Sequence, residues 1–359
     1  MEQRGFFSLS EHLEAISRDG DPLEVLDAVV DFEYFRGWLV EGLGYGDGSK
    51  GGRPPFDPVS MFKALILQTQ HNLSDKRMEF MIRDRLSWMR FLGFDLGRKT
   101  PDENTIRLFR NKLTETGTLR RVMKAFDWQL HKKGYLPMSG QIVDASLIPA
   151  PKQRNTDAEK EAVKAGKTAS EIWADEPNKA VQKDVDARWT LKVGGKVRYR
   201  PDGTPLPMIA MPVFGYKTHI SIDRRYGFIR GQAVTSASAP DGRQLRKVVT
   251  TENTASEVWA DSAYRSQSNE KWLAGKMLTS RIHRRKPKGK PMPQAMARAN
   301  AKKSAIRARV EHVFAHQKTR FGLFIRTIGL KRAEAKLILA NLAYNMDRLI
   351  FHERRALRG

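Results

Sequence analysis

The sequence predicts a mixed α/β domain built on a central sheet, preceded by an all-α domain of helix-turn-helix-like character. Three observations carry that expectation. The first third of the chain reads as successive amphipathic helices, several opening on a capping signal. Strand-like apolar runs are absent until residue 141 and frequent after it. Late in the chain these runs alternate with helical patterns, the order of a sheet covered by helices.

Composition bounds the function before any motif does. The chain has 359 residues, with 64 Lys and Arg against 40 Asp and Glu, a formal net charge of +24. So basic a protein is unlike an ordinary metabolic enzyme and calls for a large polyanionic partner. At 40% hydrophobic it can bury a sizeable core, and its length suits two domains. Cysteine is absent, so disulfides and thiolate zinc sites are excluded, and any metal must be held by oxygen or imidazole. The first residues, MEQRGFFSLSEHLEA, lack an apolar leader core, and no run approaches the roughly 18 apolar residues of a membrane span. A soluble, cytoplasmic protein without a membrane partner is the expectation.

Taken in order, residues 1 to 45 predict one or two helices, with Leu23, Leu26, Val30 and Tyr34 on one face and Phe35, Trp38 and Leu39 extending it. GYGDGSKGGRPPF, from Gly44 to Phe56, reads as a linker, so a helical segment at 1–49 precedes a helical domain at 50–137. Asp57 with Pro58 predicts a capped helix burying Val59, Phe62 and Ile66, and Ser74 a second carrying Met78 and Ile82. Thr100-Pro101-Asp102-Glu103 predicts a third, with Thr100 at the N-cap and Glu103 closing a capping box. It presents Arg107, Arg110 and Lys112, and Arg107 and Arg110 are candidate DNA contacts; the plainer alternative is a solvated basic face. A further helix from Leu119 to Lys133 leads to the break at Pro137–Gly140 and a boundary near residue 138.

The second domain, 138–352, opens with a strand at 141–148. Runs at 214–223 and 228–235, joined by Arg224-Arg225-Tyr226-Gly227, predict a hairpin. A helical stretch near 241–250, a strand ending at Asp261, a helix, a strand near 279–283 and a long helix complete the order. Residues 149–208 are polar and Pro- or Gly-punctuated, the pattern of an insertion. The last apolar helix, with Leu337, Leu342, Met346 and Leu349, is suited to covering the sheet.

Candidate chemistry rests on three carboxylates. Asp is depleted in strands, so Asp144 between Val143 and Ala145 needs a cation nearby. Asp261 follows Val258-Trp259-Ala260, where a strand delivers a side chain to the sheet edge. Arg307, Glu311 and Lys318 are spaced to fall within about 40° of one another on a helix, a carboxylate flanked by two cations. Taken singly, an Asp at a strand end is often a turn cap, and a Glu among cations a surface ion pair. Together, Asp144, Asp261 and Glu311 suggest a shared site for Mg²⁺ or Mn²⁺, which take hard oxygen ligands. Two such ions clamp the oxygens of an in-line phosphoryl transfer, and Arg307 and Lys318 are placed to hold the phosphodiester. Asp184 and Asp186, in the polar insertion, are read as solvated. The basic run from Arg281 to Arg309 puts Arg284, Arg285 and Lys286 beside the site as backbone contacts, against the alternative of a solvated loop. Lys217 is a further candidate contact; neighbouring His219 reads equally as a strand side chain, and the eight histidines show no paired metal spacing.

These residues resemble the bacterial insertion-sequence transposases of the DDE class. In one group the glutamate region runs Tyr, two residues, Arg, three residues, Glu, six residues, Lys; Arg307, Glu311 and Lys318 keep that spacing, with Ser304 at the Tyr position. V-D-A-S around Asp144, G-Y-K-T-H after the insertion and A-D-S-A-Y-R-S around Asp261 match as well. G-R-P-P-F-D-P and P-D-E-N-T-I-R-L-F-R are similar to the InsH-type domain of insertion-sequence-five-like members. The resemblance spans roughly residues 50–350. It implies an RNase H-like second domain with Asp144, Asp261 and Glu311 as a metal-binding catalytic triad, two Mg²⁺ or Mn²⁺ ions, and a homodimer or higher oligomer on double-stranded DNA. The implied reaction frees a 3′-OH at the element end, which attacks target DNA, without a covalent protein intermediate and so without a nucleophilic role for Tyr264. A non-catalytic DNA-binding protein and an RNase H-like nuclease that only hydrolyses are the alternatives.

Overall fold

The computed structural model describes residues 7–45, 54–193, 200–202, 204 and 210–357. The expected linker falls largely outside them. Before it lie α1 (Phe7–Arg18), α2 (Pro22–Val29) and α3 (Arg36–Leu43), the last ended by Gly44 in the left-handed region at φ 64°. After it come α4 (Pro58–Gln70), α5 (Asp75–Asp84), α6 (Leu86–Leu92), α7 (Glu103–Glu115) and α8 (Thr118–Lys132). Asp57 caps α4, accepting from the Val59 and Ser60 N–H groups at 3.0 and 2.9 Å, and Ser74 caps α5. The cap of α7 differs from expectation. Asp102, not Thr100, accepts the Thr105 N–H, at 2.7 Å, and Glu103 begins the helix with its own N–H on Glu79 of α5 at 3.0 Å. A carboxylate at the helix N-terminus adds a favourable charge–dipole term that a hydroxyl lacks, and the proline after Thr100 biases that residue away from the helical region.

The sheet begins with β1 (Gln141–Pro149). The insertion then forms α9 (Asp157–Lys164), α10 (Ala169–Ile172), α11 (Pro177–Ala180) and β2 (Arg188–Val193). There follow β3 (Ala210–Asp223), β4 (Ile229–Ser236), α12 (Leu245–Val248), β5 (Glu257–Trp259), α13 (Gln267–Gly275), β6 (Thr279–Ser280), α14 (Gln294–Thr319) and α15 (Leu330–Ala356). Strands β4, β3 and β1 pair antiparallel, and β1, β5 and β6 parallel, in the spatial order β4-β3-β1-β5-β6. This is an RNase H-like sheet, preceded by a helical region.

The insertion is less solvated than its composition predicts. Strand β2 pairs antiparallel with the first half of β3 and so extends the sheet. Gly215, where β2, β3 and the end of β1 meet, allows that close approach: a Cβ there would lie 2.3 Å from the Ile148 carbonyl oxygen. Asp184, expected in solvent, is 5% exposed. It accepts the Tyr216 hydroxyl at 2.6 Å and the Asp186, Ala187 and Gly329 N–H groups, while Asp186 accepts the Leu330 N–H at 2.8 Å. The pair anchors the insertion to the N-terminus of α15. Polar composition hid this because the partners, β3 and α15, lie far away in sequence.

The helical region and the sheet share one apolar core running from Leu26 and Phe62 through Ile220 to Leu342 and Leu349. Helix α15 packs on α2, α4, α7 and α8 as well as on β4. A smaller cluster, with Val143, Val258, Tyr264 and Leu273, covers the opposite face beneath α12 and α13.

Candidate active site

Alternation along β1 puts Ile142, Asp144 and Ser146 on the face of the sheet that carries the large core. The parallel register pairs Gln141 with Val258 and Ile142 with Trp259. Two residues further on, Asp144 comes level with Asp261. The strand has ended by then, so Asp261 is not its last residue as expected: it caps the short turn Ser262–Tyr264, accepting the Ala263 N–H at 2.8 Å. The chain leaves the strand just before Asp261, which places that residue at the sheet edge.

Helix α14 crosses this edge. Val310, Val313, Phe314 and Gln317 face the core, and the neighbouring stripe carries Arg307, Glu311 and Lys318. Arg307 Nη2 donates to Asp144 Oδ2 at 2.8 Å, and Lys318 Nζ donates to Ser146 Oγ at 2.5 Å. Glu311 lies one turn beyond Arg307; it is exposed, and among the described residues it has no hydrogen-bond or ion-pair partner. Asp144 Oδ1 accepts the Ala145 N–H at 2.8 Å. Burial pushes the Asp144 pKa up, the Arg307 guanidinium opposes that, and the neighbouring Asp261 carboxylate adds to the rise.

Several polar atoms around these carboxylates have no protein partner. The buried Tyr264 hydroxyl, Arg307 Nε and His283 Nε2 are all unpaired. The Tyr264 pKa is driven upward by burial and then by Asp144, Asp241 and Asp261, while burial and Arg307 depress His283. A half-buried pair of hard carboxylate oxygens, a third carboxylate on the adjoining helix and orphaned polar groups around them fit Mg²⁺ or Mn²⁺. Arg307 holds Asp144 Oδ2, and the three carboxylates do not gather within ligand distance of one another as they stand.

The candidate DNA contacts divide. Arg284, Arg285 and Lys286 are exposed, and Arg285 Nε donates to the Ser262 carbonyl at 2.9 Å, beside Asp261. Arg107 is exposed and reaches Asn104 at 2.8 Å. Arg110 is instead held in a two-pronged pair with Asp75, at 2.6 and 2.7 Å, which ties α7 to α5. Lys217 also departs from expectation. It sits opposite Leu147 on the other face from Asp144, with Nζ on Asp241 at 2.7 Å and the Ala239 carbonyl at 2.9 Å. Strand parity decides its face, and the acidic partner comes from a loop that periodicity does not reveal. His219 is fully buried against Thr235 Oγ1 at 2.9 Å, a strand side chain. Sequence reasoning assigned Tyr264 no nucleophilic role and did not single out Ser146; the fold places Tyr264 near Asp144 and Asp261, and Ser146 against Lys318.

Two family models match this chain: Transposase domain (DUF772) over residues 11–112 and Transposase DDE domain over 202–346. Together they span more than half of it, and the chain belongs to the insertion-sequence DDE transposases. The second match takes in Asp261 and Glu311 but begins after β1, so Asp144 joins them through the sheet register. Among solved structures, a cryo-EM structure of piggyBac transposase synaptic complex with hairpin DNA is similar over 92% of this chain and 75% of that one, at 11% identity and a TM-score of 0.41. A likeness at that level adds nothing to the assignment. No helix among the described residues is long and apolar enough to cross a membrane.

Proposed function

We propose that this transposase binds the ends of its own insertion sequence, cuts a strand there and joins the freed 3′-OH to target DNA. The observation that supports this is the placing of Asp261, just past the end of β5, level with Asp144 on β1 beneath the Arg307–Glu311–Lys318 stripe. Asp144, Asp261 and Glu311 are the ligand set for Mg²⁺ or Mn²⁺, in one or two ions. When bound, such ions activate water or the 3′-OH and neutralise charge on the phosphoryl group. The protein's own part is to hold the carboxylates on rigid elements and surround the phosphodiester with cations. Arg307 balances the buried Asp144 charge, and a divalent ion at Asp144 would free that guanidinium for a phosphate oxygen. Lys318 stands on the far side of Glu311 for the same task. Arg284, Arg285 and Lys286 extend the positive surface along the DNA backbone, and the helical region, with Arg107 exposed, contributes to end binding by a dimer or higher oligomer.

The test is cleavage and joining on DNA carrying the element's ends, with Mg²⁺ or Mn²⁺, for wild type and for Asp144→Ala, Asp261→Ala and Glu311→Ala. Joined product from wild type, lost in all three variants while end binding persists, is the expected outcome. Cleavage without joining would favour a hydrolytic nuclease; cleavage that survives the substitutions would remove the triad.

A further inference from the structure

A second constellation lies where the helical region meets the sheet. On α8, Asp127 and His131 are one turn apart, so their side chains share a face. The loop before β5 brings Glu252 against them, and one ligand atom from each of the three lies within 4.8 Å of the other two. His131 Nε2 is 3.6 Å from Asp127 Oδ2, and although that nitrogen is buried it has no hydrogen-bond partner. An imidazole nitrogen shielded from water and facing a carboxylate without bonding to it is a costly arrangement unless a third party accepts its lone pair.

The backbone around Glu252 is fixed rather than loose. Thr250 N–H and carbonyl both bond the Gln141 side chain, at 3.0 and 2.8 Å. Asn253 makes the same two-way contact with the Gly140 backbone, at 2.8 and 2.9 Å, and Thr254 N–H reaches the Pro137 carbonyl at 2.9 Å. Glu252 is therefore presented to α8 by the segment that links the two parts of the chain. Charge points the same way. Arg230 bonds Asp127 Oδ1, and its Nε lies 3.2 Å from Asp223, so it balances one of those two carboxylates. Asp127 Oδ2 remains available, and with Glu252 the cluster keeps an excess of negative charge that a divalent cation would neutralise.

We propose that Asp127, His131 and Glu252 form a structural site for a divalent transition ion of the zinc type, joining α8 to the loop before β5. One imidazole and two carboxylates are zinc ligands, and a water completes a tetrahedron. Bonds of about 2.0–2.1 Å place ligand atoms roughly 3.4 Å apart. The Asp127–His131 separation already meets that, and the exposed Glu252 side chain has only to swing inward. The site is separate from the catalytic carboxylates and does not depend on the reaction proposed for them.

The experiment uses the full chain without an affinity tag, in a background of Asp144→Ala, Asp261→Ala and Glu311→Ala that removes the other carboxylate set. Zn²⁺ is titrated against a chromophoric chelator in excess Mg²⁺, and melting is followed with and without Zn²⁺. The expected result is one Zn²⁺ per chain and a raised melting temperature. Both should be lost, with binding weakened at least about 100-fold, in His131→Gln and in Glu252→Gln, since even outer-shell changes at zinc sites cost roughly 10–100-fold. Glu252 is exposed, so its variant folds and remains informative if His131→Gln does not. No bound Zn²⁺ in the parent, or binding that Glu252→Gln leaves unchanged, would overturn the site.

Discussion

Asp184 and His219 are buried polar residues whose environments make opposite demands on charge. The Asp184 carboxylate accepts four donors and is shielded from water. Replacing it with alanine orphans the Tyr216 hydroxyl and three backbone N–H groups, so Asp184→Ala should cost about 3 kcal/mol or more in a denaturant titration. A solvated Asp would cost close to nothing, and that result would refute the anchoring role. His219 is kept neutral: burial pushes its pKa down from 6.5 to about 4. Its folded pKa lies below the unfolded one, so its contribution is intact above pH 6.5 and is lost as pH falls toward 4. The loss approaches about 3 kcal/mol at roughly 1.4 per unit. His219→Gln should flatten the acid limb of stability between those pH values; an unaltered limb would show that other groups control it.

At the scale of elements, the loop from Arg281 to α14 and helix α7 are both basic but differently employed. Arg284, Arg285, Lys286 and Lys288 are exposed on a segment leading past Asp261. Exchanging these four for glutamine should reduce the slope of log K against log salt by about 0.9 for each phosphate that the loop no longer neutralises. A slope equal to wild type would exclude the loop from the interface. Helix α7 was legible as basic, but the sequence did not distinguish its two arginines. The capping carboxylate of α7 and the Asp75 that engages Arg110 are both local acids, and only the packing of α5 against α7 assigns Asp75 to Arg110. The same holds for Lys217, whose partner Asp241 lies 24 residues away on a loop.

At the scale of the molecule, α15 makes the helical region and the sheet a single packed body. Its Leu337, Ile338, Leu342 and Met346 are buried in a core that also contains Phe62 and Ile220. Truncating one of them, Leu337→Ala, should cost about 2–5 kcal/mol. Calorimetry should record a single transition moved as a whole, with calorimetric and van't Hoff enthalpies in agreement. Two separating transitions would show that the parts unfold independently despite their common core. For the reaction proposed above, joining the parts through one core would fix the distance between the surface that holds DNA and the site that cuts it.

Local patterns were sufficient for much of this protein. Most helices of the first part, the β-hairpin, the order of the remaining strands and helices, and the spacing of Arg307, Glu311 and Lys318 follow from periodicities and caps that act within a few residues, whereas the third helix before residue 45 and the short α6 were not anticipated. The excess of cations is likewise a property of composition. Which side chains meet was a different matter. The pairing of Asp144 with Arg307, the burial of Asp184, the return of β2 to the sheet and the approach of Glu252 to α8 join residues far apart in the chain. Such contacts are set by strand register and by which faces pack, and these are fixed only when the whole core forms.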